Sequence, residues 1–301
     1  MEPTRQITLL DGGTGFQLNL IADPPIWGSQ MLETNPELVK TVHENFAKAG
    51  AEILYSNTYS LHLKDDDEEK KNYIANLLKK NIEILEDLVH SYTNLKYSIS
   101  IGPFAVLYRD CSEYSGAYLK DQRNIGESDI RKHYEQMLDL VESNGNKHVV
   151  FETIPSFLEV KAALEAIKKH REMRCFLTVY AADENKTGAG DSIEDIARLV
   201  NQFDQVQAFG INCCDPRLCV QVSRTLSRIL KPEIDIIVKP NDGRHYNSDS
   251  KTYEDTPYDL RKDIPELYKS KVRYIGGCCT VGPETIEKYK DFINEWQYKS
   301  K

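Results

Sequence analysis

A single (β/α)8 TIM-type barrel is the fold that the sequence predicts, with one domain spanning residues 1–301. Three observations predict it: a length of 301 residues, eight short apolar segments that alternate with helical patterns, and chemically reactive residues directly after those segments. Most segments are rich in Val or Ile, which is typical of parallel strands buried on both faces. A doubly wound open sheet is the competing architecture, and the strand count alone does not exclude it.

The predicted strands are spread along the whole chain, and a helical pattern follows each of them. A long loop, from about Gly12 to Thr34, separates the first strand from its helix. The eight strands are Ile7–Leu10, Glu52–Ser56, Tyr97–Ile101, His148–Glu152, Cys175–Tyr180, Val206–Ile211, Ile234–Lys239 and Val272–Ile275.

Explicit signals mark the ends of several predicted helices. Asn35-Pro36-Glu37 places a capping side chain before a first-turn proline and an acidic residue. Gly50 is suited to the residue that ends this helix. Asp215-Pro216 and Gly282-Pro283-Glu284 repeat the start signal before two later helices.

The composition restricts the class of partner and the compartment. With 38 basic and 47 acidic residues the net charge is -9, which argues against binding nucleic acid or an anionic membrane surface. No apolar stretch approaches the roughly 20 residues of a membrane-spanning helix, and no secretory signal is recognisable at the N-terminus. Seven cysteines in such a chain indicate a reducing compartment. We therefore expect a cytoplasmic protein, a monomer or small homo-oligomer, in which clustered cysteines bind metal rather than form disulfides.

Two cysteine clusters are the main chemical signal in the sequence. Gly210–Cys214 and Gly276–Cys279 each follow a β-branched run and mark the exit of a buried strand. Three thiolates, from Cys213, Cys278 and Cys279, would bind a zinc ion and leave its fourth position vacant, as in catalytic zinc sites. The alternatives are a disulfide between the adjacent Cys278 and Cys279, or small buried thiols.

The backbone near these cysteines must turn if both neighbours are to bind one ion. Adjacent side chains on an extended chain point to opposite faces, and we expect Gly276 and Gly277 to supply the conformational freedom for the turn. By the same geometry Cys214 points away from Cys213 and is interpreted as a packing residue. If Cys214 were a fourth ligand, the site would be closed and structural.

Two acidic residues lie at predicted strand exits. Asp11 begins a glycine-rich turn that lacks the spacing of the common nucleotide loops, and its carboxylate is suited to a cationic ammonium group. Alternatively, the amides of its own turn satisfy it. Glu152 lies in an apolar stretch, where an unpaired carboxylate is costly. A cationic substrate group would offset that cost, and so would an internal Arg or Lys.

These residues resemble the homocysteine S-methyltransferase family, zinc-dependent (β/α)8 enzymes that methylate homocysteine to methionine. The resemblance covers nearly the whole chain and implies that Cys213, Cys278 and Cys279 are zinc ligands. The motifs that carry it are Asp11-Gly12-Gly13-Thr14-Gly15, Trp27-Gly28-Ser29, Ala49-Gly50-Ala51, Ser56-Asn57-Thr58-Tyr59, Phe151-Glu152-Thr153, Gly210-Ile211-Asn212-Cys213 and Gly276-Gly277-Cys278-Cys279.

The same resemblance implies an active site and two small-molecule substrates, homocysteine and a sulfonium methyl donor. Asp11 and Glu152 are the expected catalytic residues, which hold the homocysteine ammonium group. The expected substrate-binding residues are Asp11, Gly12, Asn57, Thr58, Glu152 and Asn212.

The methyl donor is suggested by the stretch Gly102–Tyr118, which is similar to the branch that uses S-methylmethionine or S-adenosylmethionine. Tyr108, Tyr114 and Tyr118 fall in this stretch, and aromatic faces attract a sulfonium. Two segments, at residues 177–180 and 240–243, depart from the family pattern where the donor could bind. Betaine–homocysteine or selenocysteine methyltransferase activity is therefore an alternative. The rivals from other classes are a thiol–disulfide redox protein and a non-catalytic zinc-binding barrel.

Overall fold

Eight parallel strands form the barrel in a computed structural model that describes residues 6–21, 28–63, 67–120, 125–247 and 252–299. The strands are β1 (Thr8–Leu9), β2 (Ile53–Tyr55), β3 (Lys96–Ile101), β4 (His148–Ile154), β5 (Arg174–Val179), β6 (Val206–Asn212), β7 (Asp235–Lys239) and β10 (Val272–Ile275). Their order in the sheet is β1-β10-β7-β6-β5-β4-β3-β2. The Glu52 N–H, directly before β2, donates to Leu9 O at 2.8 Å, and Leu10 forms a parallel bridge with Ile53, so β2 also meets β1. The predicted barrel is confirmed and the open sheet is excluded.

Helices alternate with these strands along the chain. They are α1 (Thr14–Ile21), α2 (Met31–Thr34), α3 (Pro36–Ala49), α4 (Glu68–Ser91), α5 (Glu127–Ser143), α6 (Phe157–Ile167), α7 (Ile193–Val200), α8 (Cys219–Ile229), α9 (Ile264–Lys269) and α10 (Pro283–Lys299). A short antiparallel pair, β8 (His245–Asn247) and β9 (Thr252–Glu254), lies between β7 and α9 and was not predicted. In the described part of the chain, no helix is both long and apolar enough to cross a membrane.

The helix-end signals act as predicted. The Asn35 side chain accepts a hydrogen bond from the Leu38 N–H at 3.1 Å, and Gly50, whose φ is 105°, caps the end of α3 directly after Ala49. Asp215 caps a short 3-10 turn that leads into α8, and α10 begins at Pro283.

The predicted long loop after the first strand is wrong, because α1 and α2 lie within it. In α1, Leu18 is buried whereas Leu20 and Ile21 are exposed. The apolar residues therefore do not follow a single stripe, and the periodicity that identifies most helices is missing. Trp27, which belongs to one motif, lies outside the described residues.

A packed interior places the site above the barrel rather than within it. One buried cluster fills the barrel and takes residues from most strands, and a second, larger cluster joins the sheet to the helices. The interior cluster comprises Leu10, Ile53, Tyr55, Val150, Phe176, Ala208 and Ile237. Because the strands are parallel, their carboxyl ends meet at one rim, where active sites of this fold lie.

Candidate metal centre and active site

Three cysteines from two strand exits meet at this rim. The Sγ atoms of Cys213, after β6, and of Cys278 and Cys279, after β10, all lie within 4.8 Å of one another. In this structure Cys213 and Cys278 are joined as a disulfide, with their Cα atoms 5.1 Å apart, and Cys279 is a free thiol. The structure thus brings the predicted ligands together, with the sulfurs of Cys213 and Cys278 paired, which differs from the expectation that the clustered cysteines form no disulfide. The bond also joins two strand exits, not the adjacent Cys278 and Cys279.

The end of β7, which lies between β6 and β10 in the sheet, holds the two cysteine segments in place. The Cys213 N–H donates to Lys239 O at 3.1 Å, and the Cys278 N–H donates to Pro240 O at 2.8 Å. The Asn241 amide nitrogen donates to Cys213 O at 3.0 Å. The φ of Cys213 is 52°, in the left-handed region that is unfavourable for a residue with a side chain. Strain of this kind is common where a functional group must be aimed, and here it accompanies the turn of Cys213 toward Cys278.

The glycines before Cys278 serve a different purpose from the predicted one. Neither Gly276 nor Gly277 has a positive φ, so their value is not access to the left-handed region. A Cβ on Gly276 would collide with Asp11 O, and one on Gly277 would collide with the Val281 side chain. Their small size lets the β10 exit pack closely against its neighbours.

Cys214 lies outside the cluster. It is buried, and it lies close enough to Cys219, the first residue of α8, to raise the pKa of that thiol. The group of three Sγ atoms does not include it. This position agrees with its interpretation as a packing residue.

Glu152 points its carboxylate into a cavity of about 110 Å³ that the three cysteines also line. Its side chain is held by two neighbours: the Ser100 hydroxyl donates to Oε1, and the Asn212 amide nitrogen donates to Oε2 at 3.3 Å. Burial raises the pKa of Glu152, and the positive charge of Lys239 opposes that rise. The residue is 8% exposed, so a cation that enters the cavity can reach it.

The other predicted substrate-binding residues divide into two groups. Gly12 and Asn57 line the cavity. Thr58 and Asn212 lie behind its wall: the Thr58 hydroxyl donates to Ser100 O at 2.7 Å, and Asn212 Oδ1 accepts from the Thr153 N–H at 2.8 Å.

Asp11 is fully buried and does not line the cavity. Its Oδ2 accepts a hydrogen bond from the Tyr55 N–H at 2.7 Å, and its Oδ1 lies 3.1 Å from the Lys239 ammonium nitrogen. Lys239 also donates to Gly12 O at 3.0 Å and to Gly277 O at 2.7 Å. Sequence reasoning missed this lysine. The available signal was a cationic residue directly after the apolar run Ile236–Val238 of β7.

The comparison with known families decides the classification. The family model described as homocysteine S-methyltransferase matches residues 8–293. The chain belongs to the homocysteine S-methyltransferase family.

Similar proteins in this family span almost the same length. Homocysteine S-methyltransferase 1 of Arabidopsis thaliana is 27% identical over 305 residues, which cover 92% of this chain and 90% of that protein. Betaine-homocysteine S-methyltransferase of Drosophila melanogaster is 25% identical, with 97% of this chain and 96% of that protein covered. The metallated form of the homocysteine methyltransferase MmuM from Escherichia coli has a TM-score of 0.80 at 23% identity, over 95% and 96% of the two chains.

The three tyrosines expected to face the methyl donor of this methyltransferase have different positions. Tyr114 lines the cavity together with Cys279. Tyr118 is fully buried with its hydroxyl on Glu159, and the Tyr108 ring stacks on Tyr118 at 6.3 Å. The predicted role of Tyr108 and Tyr118 as donor-binding faces is therefore wrong, because neither lines this cavity or the larger cavity that adjoins it.

Proposed function

We propose that this protein transfers a methyl group from a sulfonium donor to the thiol of L-homocysteine and thereby forms methionine. The observation that carries the proposal is the meeting of three cysteine sulfurs with the Glu152 carboxylate in one cavity. A metal-binding group and a carboxylate side by side suit an amino acid with a terminal thiol. Membership of the homocysteine S-methyltransferase family supports the same acceptor.

Cys213, Cys278 and Cys279, when reduced, fit a zinc ion. Three soft thiolates are a suitable donor set that leaves one position open, and Cys214 is turned toward Cys219 instead. Bound zinc would hold the homocysteine sulfur as a thiolate at neutral pH. Because the ligands must be reduced thiols, we place the protein in a reducing compartment, the cytoplasm.

Glu152 is the proposed partner of the homocysteine ammonium group. A cation in the cavity would offset the cost of burying this carboxylate, and Ser100 and Asn212 already fix its orientation. Asp11, the second proposed catalytic residue, would act indirectly: it binds Lys239, and Lys239 lines the cavity and lies between Asp11 and the substrate. Gly12 and Asn57 would contact homocysteine directly, and Thr58 would support the wall from behind.

The transfer itself requires orientation rather than proton movement. A new carbon–sulfur bond forms between the donor methyl and the homocysteine thiolate, while the donor's methyl–sulfur bond breaks and its electron pair stays on the departing neutral thioether. With S-methylmethionine that thioether is a second methionine. Positioning of the two reactants in line supplies much of the rate enhancement for such a reaction.

We propose S-methylmethionine as the preferred donor, S-adenosylmethionine as a slower one and betaine as a poor one. The proposed binding partners are therefore small molecules. The net charge of -9 argues against nucleic acid and anionic membranes as further partners. A monomer or small homo-oligomer suffices, because every proposed site residue comes from one chain.

The test is methionine formation by the reduced, zinc-loaded protein with homocysteine and each of the three donors in parallel. We expect the rates to follow the order S-methylmethionine, S-adenosylmethionine, betaine. Cys279→Ser should abolish transfer, whereas Cys214→Ser is the matched control and should retain it together with the metal. Betaine turnover as fast as S-methylmethionine turnover would refute the donor assignment, and loss of metal in the Cys214 variant would refute the three-ligand site.

A further inference from the structure

A second cavity, of about 430 Å³, adjoins the first at the same rim. The two share three lining residues, Tyr59, Ser60 and Glu113. Its volume lies within the range of roughly 300–1,000 Å³ that is usual for small-molecule sites. Tyr114, next to Glu113 in the chain, lines the first cavity together with Cys279. The junction of the two cavities is therefore adjacent to the sulfur cluster.

Glu113 stands at that junction with an unsatisfied carboxylate oxygen. Its Oε2 is buried and has no hydrogen-bond partner among the described residues. Burial raises the pKa of the Glu113 carboxyl, so the charged form is held there at a cost. A cationic group placed at the junction would offset that cost and would face the sulfurs as well.

Two positively charged side chains line the second cavity as well. Lys70 and Arg109 both line it, and neither forms an ion pair with another described residue. Burial, together with Lys70 and Arg109, lowers the pKa of His62, which places both cations near that ring. These two cations suit a carboxylate.

We propose that the second cavity is the methyl-donor subsite, which binds a zwitterionic amino-acid sulfonium with its sulfonium at Glu113 and its carboxylate at Lys70 and Arg109. This inference rests on the proposed methyltransferase function. The arrangement places the transferable methyl at the junction with the first cavity, where the acceptor sulfur is bound. The other cation near the sulfurs, Lys239, is occupied by Asp11 and two backbone carbonyls and does not compete for the donor carboxylate.

The experiment compares two donors, S-methylmethionine and trimethylsulfonium, which has the same charge but no carboxylate. In the reduced, zinc-loaded protein, Glu113→Gln should raise the KM for both donors by about tenfold, while the KM for homocysteine changes by less than about twofold. Lys70→Met and Arg109→Met should raise the KM for S-methylmethionine alone. Lys71→Met is the matched control, because Lys71 lies on the same helix, pairs with Glu68 and does not line the cavity.

Calorimetric titration of S-methylmethionine into each variant without homocysteine measures the same subsite independently of turnover. We expect weaker binding in the Glu113, Lys70 and Arg109 variants and unchanged binding in the Lys71 variant. Wild-type affinity in all three, or an equal loss of homocysteine and donor affinity, would overturn the subsite. If the wild-type protein binds S-methylmethionine but does not methylate homocysteine with any of the donors, the proposed function is contradicted instead.

Discussion

At the scale of single residues, the partner of each acidic side chain at the rim decides its role: Glu152 faces the cavity and Asp11 is bound to Lys239. Asp11 and Glu152 were predicted to play the same part, because both are acidic and both follow a strand. Only Glu152 reaches the cavity, whereas Asp11 is paired with Lys239 behind it. The distinction depends on which side chain a neighbouring strand brings close, and a local sequence pattern does not contain that information. The meeting of the three cysteines was predictable because both clusters follow parallel strands, whose carboxyl ends share one rim of the barrel.

Glu152→Gln should weaken homocysteine binding while the zinc content stays unchanged. The amide keeps the shape and loses the charge that faces the ammonium group, which typically costs about 1.5–3 kcal/mol, or roughly a 10- to 100-fold rise in the KM for homocysteine. Steady-state kinetics and metal analysis on the same preparation measure both quantities. An unchanged KM for homocysteine would show that Glu152 does not bind the substrate ammonium group.

Asp11→Asn is the informative contrast to that variant. It leaves Lys239 as a buried cation without its ionic partner, and breaking such a pair typically costs about 3–5 kcal/mol of stability. We therefore expect a large fall in the free energy of unfolding, measured in urea, in addition to lower activity. Wild-type stability would show that the pair does not hold the rim together.

At the scale of elements, strand positions and helix ends were predictable and their irregularities were not. The fourth strand was expected to end at Glu152 but continues to Ile154 after a register shift, and Thr153 within it has a φ of 63°. Bulges of this kind re-aim side chains at the rims of barrels. They arise from the pairing of two strands, so the alternation of residues in one strand does not reveal them.

The loop between β3 and α5 is tied to α6 by a buried carboxylate. Glu159 accepts hydrogen bonds from the Phe104 N–H and from the hydroxyls of Tyr118 and Tyr134, the last at 2.8 Å. This loop carries Glu113 and Tyr114, so Glu159 stabilises the wall of the site from outside it.

Glu159→Gln should lower the free energy of unfolding by about 1.5–3 kcal/mol, because an amide cannot accept three hydrogen bonds as a carboxylate does. Glu165→Gln is the matched control on α6, where an exposed pair with Lys168 contributes at most about 1 kcal/mol. Urea unfolding of the two variants measures the difference. Equal losses would show that the Glu159 cluster does not stabilise the fold.

At the scale of the whole molecule, the barrel was predictable because eight similar units fill the chain and reactive residues follow several of the strands, as they do at the active rim of a barrel. We propose that residues 1–301 form one domain, since all eight strands of the barrel join one sheet. Unfolding should then show one transition by fluorescence and by circular dichroism. Two separate transitions would contradict a single domain.

Acid should destabilise the molecule through buried neutral histidines, and His43 is the clearest case. Burial lowers the pKa of His43 from 6.5 to about 4, so between these values the unfolded chain binds a proton that the folded chain does not. Its contribution to stability is present above pH 6.5 and is lost as the pH falls toward about 4.

Between about pH 7 and about pH 5 the wild type should therefore lose about 2 kcal/mol more stability than His43→Gln, which has no such proton to bind. The comparison cancels the opposing contribution of buried carboxylates with raised pKa, such as Glu159, which is the same in both proteins. Parallel urea unfolding curves at the two pH values measure it. An identical pH dependence would mean that His43 titrates normally in the folded state.

The central claim is an open three-thiolate zinc site that the substrate completes, and X-ray absorption at the zinc edge tests it most directly. In the reduced, zinc-loaded protein we expect three sulfur ligands from Cys213, Cys278 and Cys279, and four after homocysteine is added. Cys214→Ser should give the same two counts. Four sulfur ligands before homocysteine is added, or three both before and after, would contradict the account.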